Sequence, residues 1–158
     1  SDVYKRQLEA QVELESMRGS RRLDLQEFIL GNRKTAKADD ELVTGLLIPK
    51  PSANAFGAFE KLGARKYLVI SIVMTGVVAE WNEDQRIGKI RIAVGSCSEK
   101  SIRLEKLEKE CEGKRMDQIR IRTEHLEKLS PIDDIRAKAD FRLDVVSELI
   151  LRAVRQTS

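Results

Sequence analysis

Few side chains in this sequence could do covalent or metal chemistry, and their spacing does not gather them. The two cysteines, Cys97 and Cys111, form no CxxC pair, and the one histidine, His125, cannot complete a tetrahedral metal set with them. Cys97 follows Gly95-Ser96, a context that invites a nucleophile. A thiol nucleophile needs a base within reach, and no histidine lies near it in a sensible pattern. Cys111 reads as a small buried hydrophobe, and His125, near the end of a charged stretch, as solvent-exposed. Lys61 is one lysine among 29 basic residues and by itself reads as surface. Arg33, Lys34 and Thr35 either reach a phosphate or partner domain or form a plain linker. Asp133, Arg136 and Arg142 read as structural: the aspartate caps the last helix and the arginines tie it to the sheet or to neighbours.

The chain that must position these groups has 158 residues, enough for one domain with a core or for one domain plus a remnant of another. Hydrophobic residues make up 41% and charged residues 35%, a globular balance, and aromatics only 4%, so the core must be aliphatic. The net charge of +3, from 29 basic and 26 acidic residues, is too small and too evenly mixed to imply nucleic acid. No apolar run approaches the roughly 20 residues that span a bilayer. Residues 68–79 come nearest, and Ser71, Thr75 and Gly76 interrupt them. With no secretory signal and no disulfide framework, a cytoplasmic setting is expected. Residues 1–7 carry no start methionine and resemble a translated sequencing adaptor, so the natural chain is expected to continue upstream.

Residues 11–15 alternate polar and apolar and predict a half-buried strand, returning through a turn at Gly19. Leu25, Phe28 and Ile29 predict a short helix capped by Gly31. Residues 41–48 predict a strand that ends at Pro49, which cannot donate to a ladder. Residues 55–62 predict another. The Ile- and Val-rich stretches 70–81 and 87–96 predict a hairpin about a polar turn, closed by Trp81 and apolar on both faces. One face would meet helices and the other a neighbouring domain or loop. Ser101 predicts the cap of a helix carrying Leu104, Leu107 and Cys111, with a Glu105–Lys109 pair and an end at Gly113. Met116, Ile119, Thr123 and Leu126 predict a second helix. After Pro131 a long helix places Phe141, Val145, Leu149 and Ala153 on one face, with Val146 and Ile150 widening it. The fold class is α+β: an antiparallel β-sheet with helices packed on one face.

Phe28-Ile29-Leu30-Gly31-Asn32-Arg33-Lys34-Thr35, then Glu41-Leu42-Val43 and Ile48-Pro49, resemble the segment linking the two domains of the flavin subunit in molybdenum hydroxylases, the xanthine dehydrogenase and carbon-monoxide dehydrogenase family. Phe59, Lys61, Gly63 and Arg65 match an F-x-K-x-G-x-R element. Residues 90–96 are similar to the family's last strand, and Arg103, Glu108 and Gly113 to its following helix. Pro131, Asp133, Arg136, Ala139, Phe141 and Arg142 match a closing signature. The order and spacing of these elements from about residue 8 onward carry the resemblance.

The resemblance implies that residues 1–50 are a C-terminal remnant of the FAD-binding domain with its linker. Residues 51–158 would be the C-terminal domain of the flavin subunit. It implies FAD as cofactor, an iron–sulfur subunit and a molybdopterin subunit as partners, and electron relay through FAD to NAD+ or another acceptor. Val43 falls where the family places an apolar residue against the cofactor, Lys61 on a cofactor-contacting lysine, and Ile70 close to the ring system. Arg65 and Lys66 lie on the intervening loop. Core packing is the competing reading for Val43 and Ile70, and a surface lysine for Lys61. The family grips the FAD pyrophosphate with Gly-Gly loops, and no Gly-Gly occurs here. The isolated piece is therefore expected to do no chemistry alone. The alternative is a non-enzymatic α+β protein-interaction module.

Overall fold

The computed structural model describes residues 2–65 and 69–158. A helix α1 (Asp2–Gln7) leads into strands β1 (Gln11–Ser16) and β2 (Gly19–Asp24), helix α2 (Leu25–Phe28), a small hairpin of β3 (Ile29–Gly31) and β4 (Lys34–Thr35), and strand β5 (Leu42–Leu47). Strands β6 (Ala55–Gly63), β7 (Ser71–Trp81), β8 (Ile87–Gly95) and β9 (Ile102–Arg103) follow. Helix α3 (Glu105–Cys111), a 3-10 turn (Met116–Gln118), α4 (Thr123–Leu126) and α5 (Ala139–Arg155) complete the chain. The strands form a three-stranded sheet β2-β1-β5, the β3-β4 pair, and a four-stranded sheet β6-β7-β8-β9, all antiparallel.

The four-stranded sheet holds most of the core. Val77 pairs with Ala58 and Ile92, and Thr75 with Val94, which puts Val73, Val77, Ala79, Ile90, Ile92 and Val94 on one face. There they pack with Leu104 and Leu107 from the α3 side and Val146, Leu149, Ile150 and Val154 of α5. The expected α+β plan, an antiparallel sheet with its main helices on one face, is what the chain builds. On the opposite face lies α1. A Cβ at Gly76 would collide with Gln7 and one at Gly95 with Val3, so both glycines permit that approach. Helix α1 forms where no periodicity announces one, and its Val3 and Gln7 are buried.

Several local expectations fail for identifiable reasons. Gly31 does not cap α2. It lies in β3 at negative φ, and the chain turns at Arg33, whose φ is +55°. Ser101 precedes β9 rather than a helix, and Leu104 occupies the α3 cap position. Glu105 pairs with Lys128 at 2.6 Å instead of Lys109. Residues 116–126 are not one helix but a 3-10 turn and a separate short helix. In α5 the buried stripe is rotated: Arg142 is 3% exposed and Phe141 47%.

Candidate functional site

Strand β6 sets Lys61 opposite Met74 of β7, and beyond Gly63 the chain loops back to enter β7 at Ser71. Ile70 sits at that entry. It is 63% exposed, which rules out the core-packing reading for it. The Lys61 ammonium donates to the Val69 carbonyl at 2.7 Å, one residue before Ile70. The Lys61 ammonium is thus held at the backbone one residue before Ile70. Arg65 is exposed on that loop, and Lys66 lies outside the described residues.

Val43 stands apart, on β5 of the three-stranded sheet. Its partner is Leu14, and Leu46 pairs with Val12 after a bulge, so all four side chains point to one face. Val12 and Leu14 are sealed beneath Leu25, with Phe28 and Ile29 packed alongside. Val43 and Leu46, on the outer strand, are about half exposed. Among the described residues, no hydrogen bond joins Val43 to Lys61 or Ile70.

Ile70 also borders an open cleft of about 820 Å³, together with Asn32, Ser71, Ser96, Ser98, Glu99, Lys128, Ser130, Ile132 and the Asp134–Arg136–Arg142 group. Arg142 Nη1 donates to the carbonyls of Ile72 at 2.6 Å and Ser96 at 2.8 Å, and Nη2 to Asp134 Oδ1 at 2.7 Å. Asp134 also accepts the N–H groups of Arg136 and Ala137 and the Arg136 guanidinium. The Arg136 N–H, foremost, holds its carboxyl well below the usual carboxylate range against the opposing effect of burial, and the Ala137 N–H and the two arginines add to it. Asp133 Oδ1 accepts the N–H of Ala139, the first residue of α5, at 2.6 Å. Asp133 thus serves the first N–H of α5 from outside the N-cap position, which Lys138 holds, and Arg142 ties the helix to the sheet while Arg136, among the described residues, bonds only Asp134.

Two residues that sequence reasoning passed over bind the small hairpin to this cleft. Glu99 accepts the Asn32 N–H at 3.1 Å, and Lys100 donates to the carbonyls of Gln26 and Ile29 at 3.3 and 2.9 Å. Both act on backbone groups some 70 residues away, which leaves no mark in a local pattern.

The remaining reactive groups are tied up. His125 is buried, not exposed. Its Nδ1 accepts the Arg122 N–H at 3.0 Å, so the ring proton sits on Nε2, 2.9 Å from Glu110. Glu110, Glu124 and His125 converge as a metal triad would. Lys114 and Arg122 already neutralise Glu110, and Arg122 also bonds Glu124. The cluster is a closed ion-pair network. Cys97 and Cys111 are buried, and burial pushes both thiols up to about 11.

For FAD, the residues present suit one side only. Val43 and Ile70 offer exposed apolar surface and Lys61 an ammonium, which suit the ring system. The nine glycines include no adjacent pair, so the sequence supplies no such cradle for the pyrophosphate.

Comparison with known proteins identifies the family. The model of the CO dehydrogenase flavoprotein C-terminal domain matches residues 58–157. The chain is 31% identical over 151 residues to the nicotine 6-hydroxylase medium subunit of Paenarthrobacter nicotinovorans, covering 93% of this chain and 52% of that protein. It is 40% identical over 76 residues to the nicotinate dehydrogenase FAD-subunit of Eubacterium barkeri, covering 46% of this chain and 26% of that one. The fold is that of CO dehydrogenase from Oligotropha carboxidovorans, with a TM-score of 0.85 at 23% identity over 98% of this chain and 55% of that chain. Quinoline 2-oxidoreductase from Pseudomonas putida 86 gives 0.80 at 21% identity, over 98% and 54%. The chain spans at most about half the length of the curated relatives it matches. Among the described residues, no helix is long and apolar enough to cross a membrane. The chain belongs to the CO dehydrogenase flavoprotein C-terminal domain family, the C-terminal portion of the FAD-carrying medium subunit of molybdenum hydroxylases.

Proposed function

We propose that this chain is a piece of the flavin subunit of a cytoplasmic molybdenum hydroxylase, and that it supplies one wall of the FAD site. FAD, when bound in the whole subunit, provides the carrier that takes electrons from iron–sulfur clusters and releases them to NAD+ or another acceptor. The partners are an iron–sulfur subunit and a molybdopterin subunit. Residues 1–50 are the end of the FAD-binding domain and its linker, and residues 51–158 the C-terminal domain. The break between the two sheets at residues 48–54 supports that division.

The observation that carries the reading is the pairing of Lys61 with the Val69 carbonyl beside an exposed Ile70. A large aliphatic residue this open to water, next to an oriented ammonium, is suited to a flat ring with an apolar face and an edge that gains negative charge on reduction. Ile70 and Val43 bury ring surface. Lys61 places positive charge where a reduced, anionic ring would gain most from it. The chain lacks the paired glycines for the phosphates, so the piece by itself holds FAD weakly or not at all.

The test is expression with the native upstream half, followed by the visible absorption spectrum. A flavin band is expected, and Lys61→Met should lower FAD affinity without unfolding the protein. A colourless full-length protein would sink the reading. Tight FAD binding by the 158 residues alone, measured by flavin fluorescence quenching, would overturn the statement about the isolated piece.

A further inference from the structure

We propose that Arg142, held by Asp134, is a positioning residue for the cofactor wall: it fixes the entry of β7 and through it the place of Ile70. This rests on the reading of Ile70 as a ring contact.

The last β7–β8 pair is Met74 with Gly95. Beyond it the two strands diverge, and Ser96 turns the β8 chain away at φ +64°. The carbonyls of Ile72 and Ser96 therefore lie past the last β7–β8 pair, with Ile72 at the bulge in the β6–β7 pairing. One guanidinium nitrogen of Arg142 serves both, at 2.6 and 2.8 Å. It clips together the ends of two strands that the sheet no longer joins.

Ile70 lies two residues before the clipped carbonyl. The Lys61 bond to Val69 is on its other side. The backbone on which Ile70 is displayed is thus held between two cations, one from the edge strand and one from α5. Arg142 is in turn oriented by Asp134, whose charge offsets that of the buried guanidinium.

Serving these carbonyls already gives Arg142 a part in the fold, and the positioning role lies in the geometry it imposes on them. Arg142 is 3% exposed in the first turn of α5, and its Nε is buried without a partner among the described residues. An apolar residue there would pack against the same core but would leave both carbonyls and Asp134 without this partner. What the arginine adds is a planar fork that fixes two carbonyls and a carboxylate in one geometry, which lysine cannot reproduce.

The experiment uses the full-length flavin subunit with Arg142→Lys, Asp134→Asn, Ile70→Ala and, as a control from the same helix, Leu149→Ala. Amide exchange at residues 70–72, FAD affinity and the visible circular dichroism of the bound flavin are measured. Arg142→Lys is expected to speed exchange at 70–72, alter the flavin dichroism and weaken FAD about tenfold, the scale of one charge-assisted hydrogen bond. Asp134→Asn should act in the same direction more weakly, and it keeps the test open should Arg142→Lys fail to fold. Leu149→Ala should lower stability without the flavin changes. Unchanged exchange at 70–72 in Arg142→Lys, or equal flavin changes in Leu149→Ala, overturns the positioning role. Faster exchange with no flavin response in either Arg142→Lys or Ile70→Ala instead removes the reading of Ile70 as a ring contact.

Discussion

The two sheets of this chain treat their apolar residues differently. The four-stranded sheet is covered by α3 and α5 on one face and by α1 on the other, so β7 is almost wholly buried from residue 72 to residue 79. The three-stranded sheet covers one face only, with a core of Ala10, Val12, Leu14 and Leu25 among the described residues. Its other face is a polar ladder of Gln11–Asp24 and Glu13–Arg22 contacts. Its outer strand β5 leaves Leu42 largely exposed and Val43 and Leu46 about half exposed. The first sheet is closed along β7 and opens only at its ends, where Ile70 is exposed, whereas the second has an open rim along the whole of β5.

The largest expected effect comes from making the same deletion in both cores. Leu107 and Leu14 are each essentially fully buried. Leu107→Ala should cost the whole protein about 2–5 kcal/mol, because its cavity opens in the main core. Leu14→Ala should loosen the three-stranded sheet alone. Thermal denaturation with residue-resolved amide exchange checks this. Faster exchange confined to residues 11–47 in Leu14→Ala is expected, and a uniform increase along the chain would show that the sheets unfold as one.

Next in size is the ion pair that anchors each sheet. Glu108 is buried and accepts the Ile92 N–H at 2.8 Å and two guanidinium bonds from Arg103 at 2.6–2.7 Å. Glu108→Ala leaves Arg103 without its main partner and a strand N–H unpaired, and should cost about 3 kcal/mol. Arg21 and Glu41 make the matching contact on the smaller sheet, but Arg21 is half in water. Glu41→Ala should therefore cost clearly less. Equal losses in chemical denaturation would remove this contrast.

Acid should act on both sheets in one pH window. Glu41, held chiefly by Arg21 and the Ala38 N–H, titrates at about 2 instead of 4.5. Glu110, held chiefly by Lys114 and His125, does the same. A carboxylate whose folded pKa is depressed contributes stability that is complete above its unfolded pKa and is lost as pH falls through the folded one. Stability should thus be flat above about pH 5 and fall between about pH 4.5 and 2. Glu41→Gln should flatten the acid slope of the three-stranded sheet and leave that of the other. A slope unchanged by that substitution would assign the acid loss elsewhere.

Much of this contrast is legible in the residues themselves. Strands β7 and β8 announce two-sided burial by their runs of Ile and Val, and β1 announces one-sided burial by its alternation. The α5 helix is legible in extent but not in phase. Its pattern predicts Phe141 inside, whereas Arg142 is inside because carbonyls 70 and 46 residues away await it. His125 reads as exposed for the same kind of reason, since its burial depends on Glu110, 15 residues earlier. At the candidate site, Lys61 and Ile70 are legible only through resemblance to the family. What joins them is a side chain bonding a backbone carbonyl across a loop, and periodicity does not encode such contacts.

The smallest expected effect discriminates most finely between the two sheets. Cys97 and Cys111 both lie in the core of the four-stranded sheet, and burial raises both thiols to about 11. At about pH 8 the native protein should present almost no thiolate to an aromatic disulfide reagent, because thiolate rather than thiol is the nucleophile. Labelling must then wait for that core to open, so its rate reports on that sheet alone. Leu14→Ala should leave the rate near wild type, while Leu107→Ala should raise it in proportion to the lost stability, roughly tenfold for each 1.4 kcal/mol. A Leu14→Ala protein that labels as fast as Leu107→Ala would mean that the smaller sheet gates the larger. The open rim of β5 would then be coupled to the main core.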